Sequence, residues 1–216
     1  MCAGYPLLLE GRVVGVLAVL SPRMLPDFAK LDKDGDGKVT KEEFAAGSKA
    51  MAAERIQAEI AAVFGCAVLT GVGAVVNTAQ VQAQHSVAVI GLGGVGLAAL
   101  LGARAVGARE ILAVDLHDDK LALAARLGAT RTFNASDPNC ADALRAATGG
   151  GVDFAFEMAG SVRALDLAWN ITRRGGTTVT AGLPHPDARW QMQHVNLTAE
   201  ERTIKGSYVG SCVPPR

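Results

Sequence analysis

One short segment constrains the fold of this chain more than any other, because an apolar run leads directly into a glycine-rich turn. The run is Ser86-Val87-Ala88-Val89-Ile90, and Gly91, Gly93 and Gly96 follow it in the spacing G-x-G-x-x-G. A buried strand that enters such a turn and opens a helix is typical of a phosphate-binding βα unit. In that unit Gly91 permits the tight turn, Gly93 lets a pyrophosphate approach the backbone, and Gly96 lets the helix pack closely on the strand.

The sequence after Ser86 alternates between short apolar runs and amphipathic stretches. The runs predict strands near 86–91, 110–115, 130–133, 152–157, 176–181 and 203–209, and the stretches predict helices near 94–106, 117–127, 138–147 and 161–172. This alternation indicates an α/β fold whose parallel sheet is covered on both faces. Right-handed crossovers then predict a doubly wound Rossmann sheet over residues 86–213.

The second predicted strand ends in a carboxylate. Asp115 lies 19 residues after Gly96, close to the spacing of the acid that holds the ribose hydroxyls of a dinucleotide. Because a carboxylate there repels the additional phosphate of NADP, the expected cofactor is NAD. The alternative is an ordinary α/β turn in which the aspartate only caps a helix.

With these segments in view, residues from about 56 to 213 resemble the coenzyme-binding half of zinc-dependent medium-chain alcohol dehydrogenases. The matching stretches are 64–74, 87–96, 114–115, 127–130, 150–157 and 204–207. The resemblance implies an oxidoreductase that transfers hydride between an alcohol and NAD.

The resemblance also implies roles for individual residues. Cys66 matches a ligand of catalytic zinc, Thr70 and Val95 match residues of the nicotinamide pocket, and Asp115 and Lys120 match contacts of the adenosine ribose. The glycine loop of the cofactor site comprises Gly91, Gly93, Gly94 and Gly96, and the expected surroundings of the nicotinamide are Met158, Ala159, Ala181, Gly182, Leu183 and Ser207 to Val209.

The resemblance covers only one ligand of the family's catalytic zinc. The family's catalytic zinc takes three protein ligands and a water, and only Cys66 matches one of them. One cysteine cannot hold zinc, so we expect the zinc and substrate domain to be missing from this chain, or to come from a partner chain. The alternative interpretation of Cys66 is a small buried thiol.

Residues 32–43 read Asp-Lys-Asp-Gly-Asp-Gly-Lys-Val-Thr-Lys-Glu-Glu and resemble the calcium loop of an EF-hand. The expected calcium ligands are Asp32, Asp34, Asp36, the backbone carbonyl of Lys38, Thr40 and Glu43. The pattern predicts one helix–loop–helix over 24–50. A solitary loop is expected to bind calcium weakly, at about 10⁻⁵ M or poorer, or to pair with a second copy in a homodimer. The alternative is an acidic turn between helices.

The segments on either side of this loop carry less information. Residues 1–23 predict a β-hairpin and resemble the core hairpin of GAF sensory domains, but a hairpin alone cannot form a ligand pocket, so no function is assigned to it. Residues 51–85 are rich in Ala, Val and Gly and predict a helical lead-in to the dehydrogenase half.

Composition narrows the class of protein. The chain has 21 basic and 21 acidic residues and no basic cluster in its sequence, which argues against nucleic acid as the main partner. The apolar run Val13 to Leu20 is too short to span a membrane. The four cysteines are scattered without C-x-x-C spacing, which favours a reduced, cytoplasmic chain.

Three functions stay open on this basis. The chain is an NAD-dependent oxidoreductase of the alcohol dehydrogenase type with a calcium-binding EF-hand; or it is a non-catalytic NAD- and Ca²⁺-binding protein; or it is a truncated or fused chain without selected activity.

Overall fold

The computed structural model describes residues 4–9, 12–18 and 64–212. Residues 1–60 and residues 61–216 form two separate compact units. In the first unit, β1 (Gly4–Leu9) and β2 (Arg12–Ala18) pair in antiparallel fashion, with Gly4 opposite Ala18. The predicted EF-hand at 24–50 lies outside the described residues. That calcium loop and the likeness of the hairpin to GAF domains stay predictions.

The described part of the second unit begins with an irregular helix. Helix α1 (Leu69–Gly73) lies between two π-helical segments, Phe64–Val68 and Ala74–Ala79. Gly71 allows α1 to lie against the helix that follows the glycine turn, since a methyl group at this position would lie 2.7 Å from the amide nitrogen of Ala99. Gly71 therefore affects how closely α1 packs against that helix.

Six parallel strands form the centre of this unit. They are β3 (Ser86–Ile90), β4 (Glu110–Asp115), β5 (Arg131–Asn134), β6 (Val152–Glu157), β7 (Thr172–Thr180) and β8 (Thr203–Gly206). Their order in the sheet is β5-β4-β3-β6-β7-β8. The first strand of the repeat therefore lies in the middle, as doubly wound sheets require. The predicted α/β fold is confirmed.

Helices cover both faces of the sheet: α2 (Gly94–Ala105), α3 (Asp118–Leu127), α4 (Cys140–Thr148) and α5 (Val162–Ile171). A short helix without buried residues, α6 (Val195–Ala199), precedes β8. Successive residues of β3 enter opposite cores, because side chains alternate along a strand. Val87 and Val89 join the core that contains Phe156, whereas Ala88 and Ile90 join the core that contains Leu144. All of β3 is buried, which explains its uninterrupted apolar sequence.

Two strand boundaries differ from prediction by three residues or more, and the other differences are of one residue. Strand β7 begins at Thr172 instead of residue 176, and the Thr172 hydroxyl donates to the carbonyl of Ala168 while sharing a 2.7 Å hydrogen bond with the Thr178 hydroxyl. Strand β8 ends at Gly206 instead of residue 209, because a 3₁₀ turn forms at Val209–Ser211. Within the described residues, no helix is both long and apolar enough to cross a membrane.

Candidate cofactor site

The glycine turn after β3 has two positions that exclude any side chain. Gly91 has a φ of +90°, and a methyl group there would lie 2.8 Å from Cβ of Ala159. A methyl group on Gly96 would overlap the carbonyl oxygen of Gly91 and lie 2.9 Å from its carbonyl carbon. These two glycines are therefore needed to close the turn and to seat α2 on the strand.

Gly93 differs from both, because its surroundings are open. It precedes the first residue of α2, and a methyl group there would meet no described atom within 4 Å. No described side chain caps this helix. The first N–H groups of α2 and the positive end of its dipole are thus available to a negatively charged ligand. The turn fits the pyrophosphate of a dinucleotide.

Asp115 lies beside this turn, at the carboxyl end of β4. It is 7% exposed, and its Oδ2 accepts a 2.7 Å hydrogen bond from the amide of Leu92 in the glycine turn. Its Oδ1 accepts from the amide of His117 at 3.0 Å, and Nζ of Lys120 lies 3.9 Å from Oδ2. Asp115 therefore holds the turn against β4. Each carboxylate oxygen still has capacity for another donor.

A cleft of about 1080 Å³ opens at this edge of the sheet. Its position beside the ends of β3, β4 and β6 is the switch point at which doubly wound sheets bind ligands. Six residues of the predicted cofactor set line it together: Gly91, Gly93, Asp115, Lys120, Met158 and Ala159.

The rest of the predicted set lies along the same edge but does not line this cleft. Gly94, Val95 and Gly96 form the start of α2, and Thr70 is buried on α1. The amides of Ala181 and Gly182 donate to the carbonyl of Glu157 at 3.0 and 3.3 Å. The Oγ of Ser207 lies 2.8 Å from Oγ1 of Thr78, and the Leu183 side chain is 79% exposed.

Cys66 lies on the π-helical segment before α1 and is exposed, so its interpretation as a buried thiol is wrong. Within the described residues, no three His, Cys, Asp or Glu side chains lie close enough together to hold a metal ion. The described residues therefore do not form a zinc site on their own.

Sequence reasoning assigned no role to Glu157, which the structure places at the end of β6 with 2% exposure. Its Oε1 accepts from the amides of Ala159 (2.8 Å), Gly160 (2.6 Å) and Ser161 (3.4 Å), and its Oε2 accepts from the Thr180 hydroxyl at 2.8 Å. Glu157 thus fixes the loop that forms one wall of the cleft. A charged residue at the end of an apolar strand is the signal that could have identified it.

Comparison with known proteins agrees with this geometry. A family model described as "Zinc-binding dehydrogenase" matches residues 94–216. The chain is similar to alcohol dehydrogenase 1 of Zea luxurians, with 39% identity over 155 residues that cover 70% of this chain and 53% of the relative. It is also similar to an alcohol dehydrogenase of Malus domestica, with 40% identity over 149 residues that cover 68% of this chain and 39% of that one.

Solved structures show the same similarity. Benzyl alcohol dehydrogenase from Acinetobacter calcoaceticus superposes with a TM-score of 0.67 at 36% identity, over 68% of this chain and 41% of that one. An alcohol dehydrogenase zinc-binding domain protein from Burkholderia ambifaria has a TM-score of 0.66 at 37% identity, over 68% and 40%. The chain thus matches about half or less of the length of these proteins. Because the family match extends over more than half of this chain, the protein belongs to the zinc-binding dehydrogenase family.

Proposed function

We propose that the cleft at the carboxyl edge of the sheet binds NAD(H), and that this domain serves hydride transfer between an alcohol and NAD. One observation carries the proposal. The open backbone at Gly93, at the uncapped start of α2, lies beside the buried carboxylate of Asp115. An anion site next to a ribose acceptor is what a dinucleotide requires.

The proposed binding mode follows from the charges and donors at this edge. The N–H groups at the start of α2 bind the pyrophosphate, and Asp115 accepts from the hydroxyls of the adenosine ribose with Lys120 beside it. The negative charge of Asp115 disfavours the 2′-phosphate of NADP. A bound nicotinamide would supply the hydride exchange with the substrate carbon. We place the ring toward Thr70, Val95, Met158, Ala181, Gly182, Leu183 and Ser207.

Metal chemistry enters the proposal only through Cys66. Its exposed thiol is available to a zinc ion whose other ligands lie beyond the described residues, either elsewhere in the protein or in a partner chain. The described side chains do not complete such a site.

The experiment is a fluorescence titration of the full chain with NADH, repeated with NADPH. We expect saturable NADH binding and at least tenfold weaker NADPH binding. An absence of binding at millimolar NADH would overturn the proposal. Alcohol oxidation is then assayed with zinc present. Turnover that disappears in Cys66→Ala supports the enzyme, whereas cofactor binding without turnover supports a non-catalytic NAD-binding protein.

We further propose that residues 32–43 bind Ca²⁺, because six constrained positions of the EF-hand pattern occur together within twelve residues. Calorimetric titration with Ca²⁺ and with Mg²⁺ tests this. We expect a calcium dissociation constant of about 10⁻⁵ M or poorer. Glu43→Ala removes the bidentate ligand and should abolish calcium binding. Equal heats of calcium binding for wild type and Glu43→Ala would contradict this proposal.

A further inference from the structure

A second cavity, of about 410 Å³, lies at the amino edge of the sheet, opposite the cofactor cleft. Four arginines line it together with Gly149, Gly150 and Glu200. They come from three parts of the fold: Arg145 from α4, Arg173 and Arg174 from the start of β7, and Arg202 from the residue before β8. The cavity shares no residue with the cofactor cleft.

Two of the four guanidinium groups have a carboxylate partner. Arg173 forms a 2.6 Å ion pair with Asp153, and Arg202 forms a 2.5 Å ion pair with Glu200. Within the described part of the chain, Arg145 and Arg174 have no ion pair. The cavity therefore has an excess of positive charge.

The two unpaired arginines are exposed and use only part of their hydrogen-bonding capacity. Arg145 donates through Nη1 to the carbonyl of Asn170 at 3.1 Å, and Arg174 donates through Nη2 to the carbonyl of Ala199 at 2.8 Å. A guanidinium has five N–H donors in a planar fork, so donors remain on each group. These contacts also restrain both side chains at the rim of the cavity.

Arg202 adds a buried positive charge to the cavity lining, and its Nη1 donates to the carbonyl of Trp169 at 2.6 Å. It is 7% exposed, and its Nε has no hydrogen-bond partner among the described residues. Burial lowers the pKa of Arg202 from its usual range; Glu200 opposes this change, and the positive charge of Arg145 adds to it. A buried guanidinium that is repelled by a second one is stabilised by any additional negative charge nearby.

We propose that this arginine cavity binds a compact phosphate-type oxyanion that carries at least two negative charges. Guanidinium forks match the oxygen spacing of phosphate, and paired forks bind it in bidentate fashion. The approach is open on the glycine side, since a methyl group on Gly149 or Gly150 would meet no described atom within 4 Å. The site is independent of the cofactor and lies on the opposite edge of the sheet.

The test uses the full chain with its cofactor cleft saturated with NADH, so that a phosphate group cannot occupy the glycine turn. Inorganic pyrophosphate is titrated by calorimetry at constant ionic strength, with inorganic phosphate in a parallel titration. We expect one site that binds pyrophosphate more tightly than phosphate. The double variant Arg145→Gln/Arg174→Gln should weaken binding at least tenfold.

The matched control is Arg109→Gln/Arg126→Gln, which removes the same charge from two exposed arginines outside the cavity. It should bind pyrophosphate like the wild type. The unfolding temperature of each variant without ligand shows whether the variants are folded. The proposal is overturned if wild type saturated with NADH binds no pyrophosphate at about 10 mM, or if the control loses affinity equally. Arg145→Lys keeps the charge but loses the fork, and it should give an intermediate affinity.

Discussion

Two glycines three residues apart in the turn after β3 should separate folding from cofactor binding. Gly96 is enclosed, because a methyl group there would overlap the carbonyl group of Gly91. Gly93 is open and has an ordinary φ of −74°. The same change, glycine to alanine, is therefore expected to have different consequences at the two positions.

The expected magnitude at Gly96 follows from what the methyl group meets. The obstacle is backbone, 2.9 Å away at the carbonyl carbon of Gly91 and closer at its oxygen, and it cannot rotate away as a flexible side chain could. Forcing a methyl group into a packed site costs about 1–3 kcal/mol or more. In a chain of this length each kcal/mol lowers the unfolding temperature by roughly 2–4 °C, so we expect a decrease of roughly 2–12 °C.

At Gly93 the cost to the fold is small. Alanine is a poorer residue than glycine just before a helix, which costs less than about 1 kcal/mol. Its methyl group would instead occupy the space proposed for the pyrophosphate. We expect NADH to bind at least tenfold more weakly, which corresponds to about 1.4 kcal/mol.

Thermal unfolding followed by circular dichroism, together with NADH titration of both variants, measures both effects. If Gly96→Ala unfolds at the same temperature as the wild type, the packing argument is refuted. If Gly93→Ala binds NADH as tightly as the wild type, the placement of the pyrophosphate is refuted, whatever the result at Gly96.

Three further substitutions test other parts of the site. Asp115→Asn removes the charge that disfavours NADP, so the ratio of NADPH to NADH affinity should rise about tenfold in fluorescence titrations; an unchanged ratio would contradict the role of the charge. Glu157→Ala leaves three amides and a hydroxyl unpaired and should cost about 3 kcal/mol or more in urea unfolding, whereas Glu157→Gln keeps an acceptor and should cost less. Burial acts to raise the pKa of Asp153, but hydrogen bonds from Ser86 and the charge of Arg173 outweigh it, so the pKa lies below 3.8. The stability that Asp153 provides is therefore present above that value and lost as the pH falls below it, and Asp153→Asn should flatten the acid part of the unfolding curve.

The sequence was sufficient to locate the central strands. Strands β4 and β6 have the predicted bounds, because each is a buried apolar run that ends in a carboxylate, Asp115 or Glu157. Strand β7 was predicted to begin four residues too late. Its first half reads Thr-Arg-Arg-Gly-Gly, a composition typical of a loop, and pairing of Thr172 with Val152 overrides that local preference.

The glycine turn and Asp115 could be predicted because their functions depend on spacing along one βα unit and the strand that follows. The arginine cavity could not be predicted in this way. Arg145, Arg174 and Arg202 are far apart in the sequence, and only the crossover connections bring the end of α4 and the starts of β7 and β8 to one edge. A scan of the sequence for basic clusters therefore fails to detect a basic site that the topology assembles.

The two strands that flank β3 each end in a buried carboxylate, but the two groups are not equivalent. The carboxylate oxygens of Glu157 accept hydrogen bonds from three loop amides and a hydroxyl, so groups of the protein itself fill its hydrogen-bonding capacity. Asp115 accepts one amide on each oxygen and lines the cleft, so it keeps capacity for a ligand. Both walls of the cleft are thus fixed without a cofactor, which lowers the ordering cost of binding. For this reason a change at Glu157 should act first on stability, and a change at Asp115 first on the choice of cofactor.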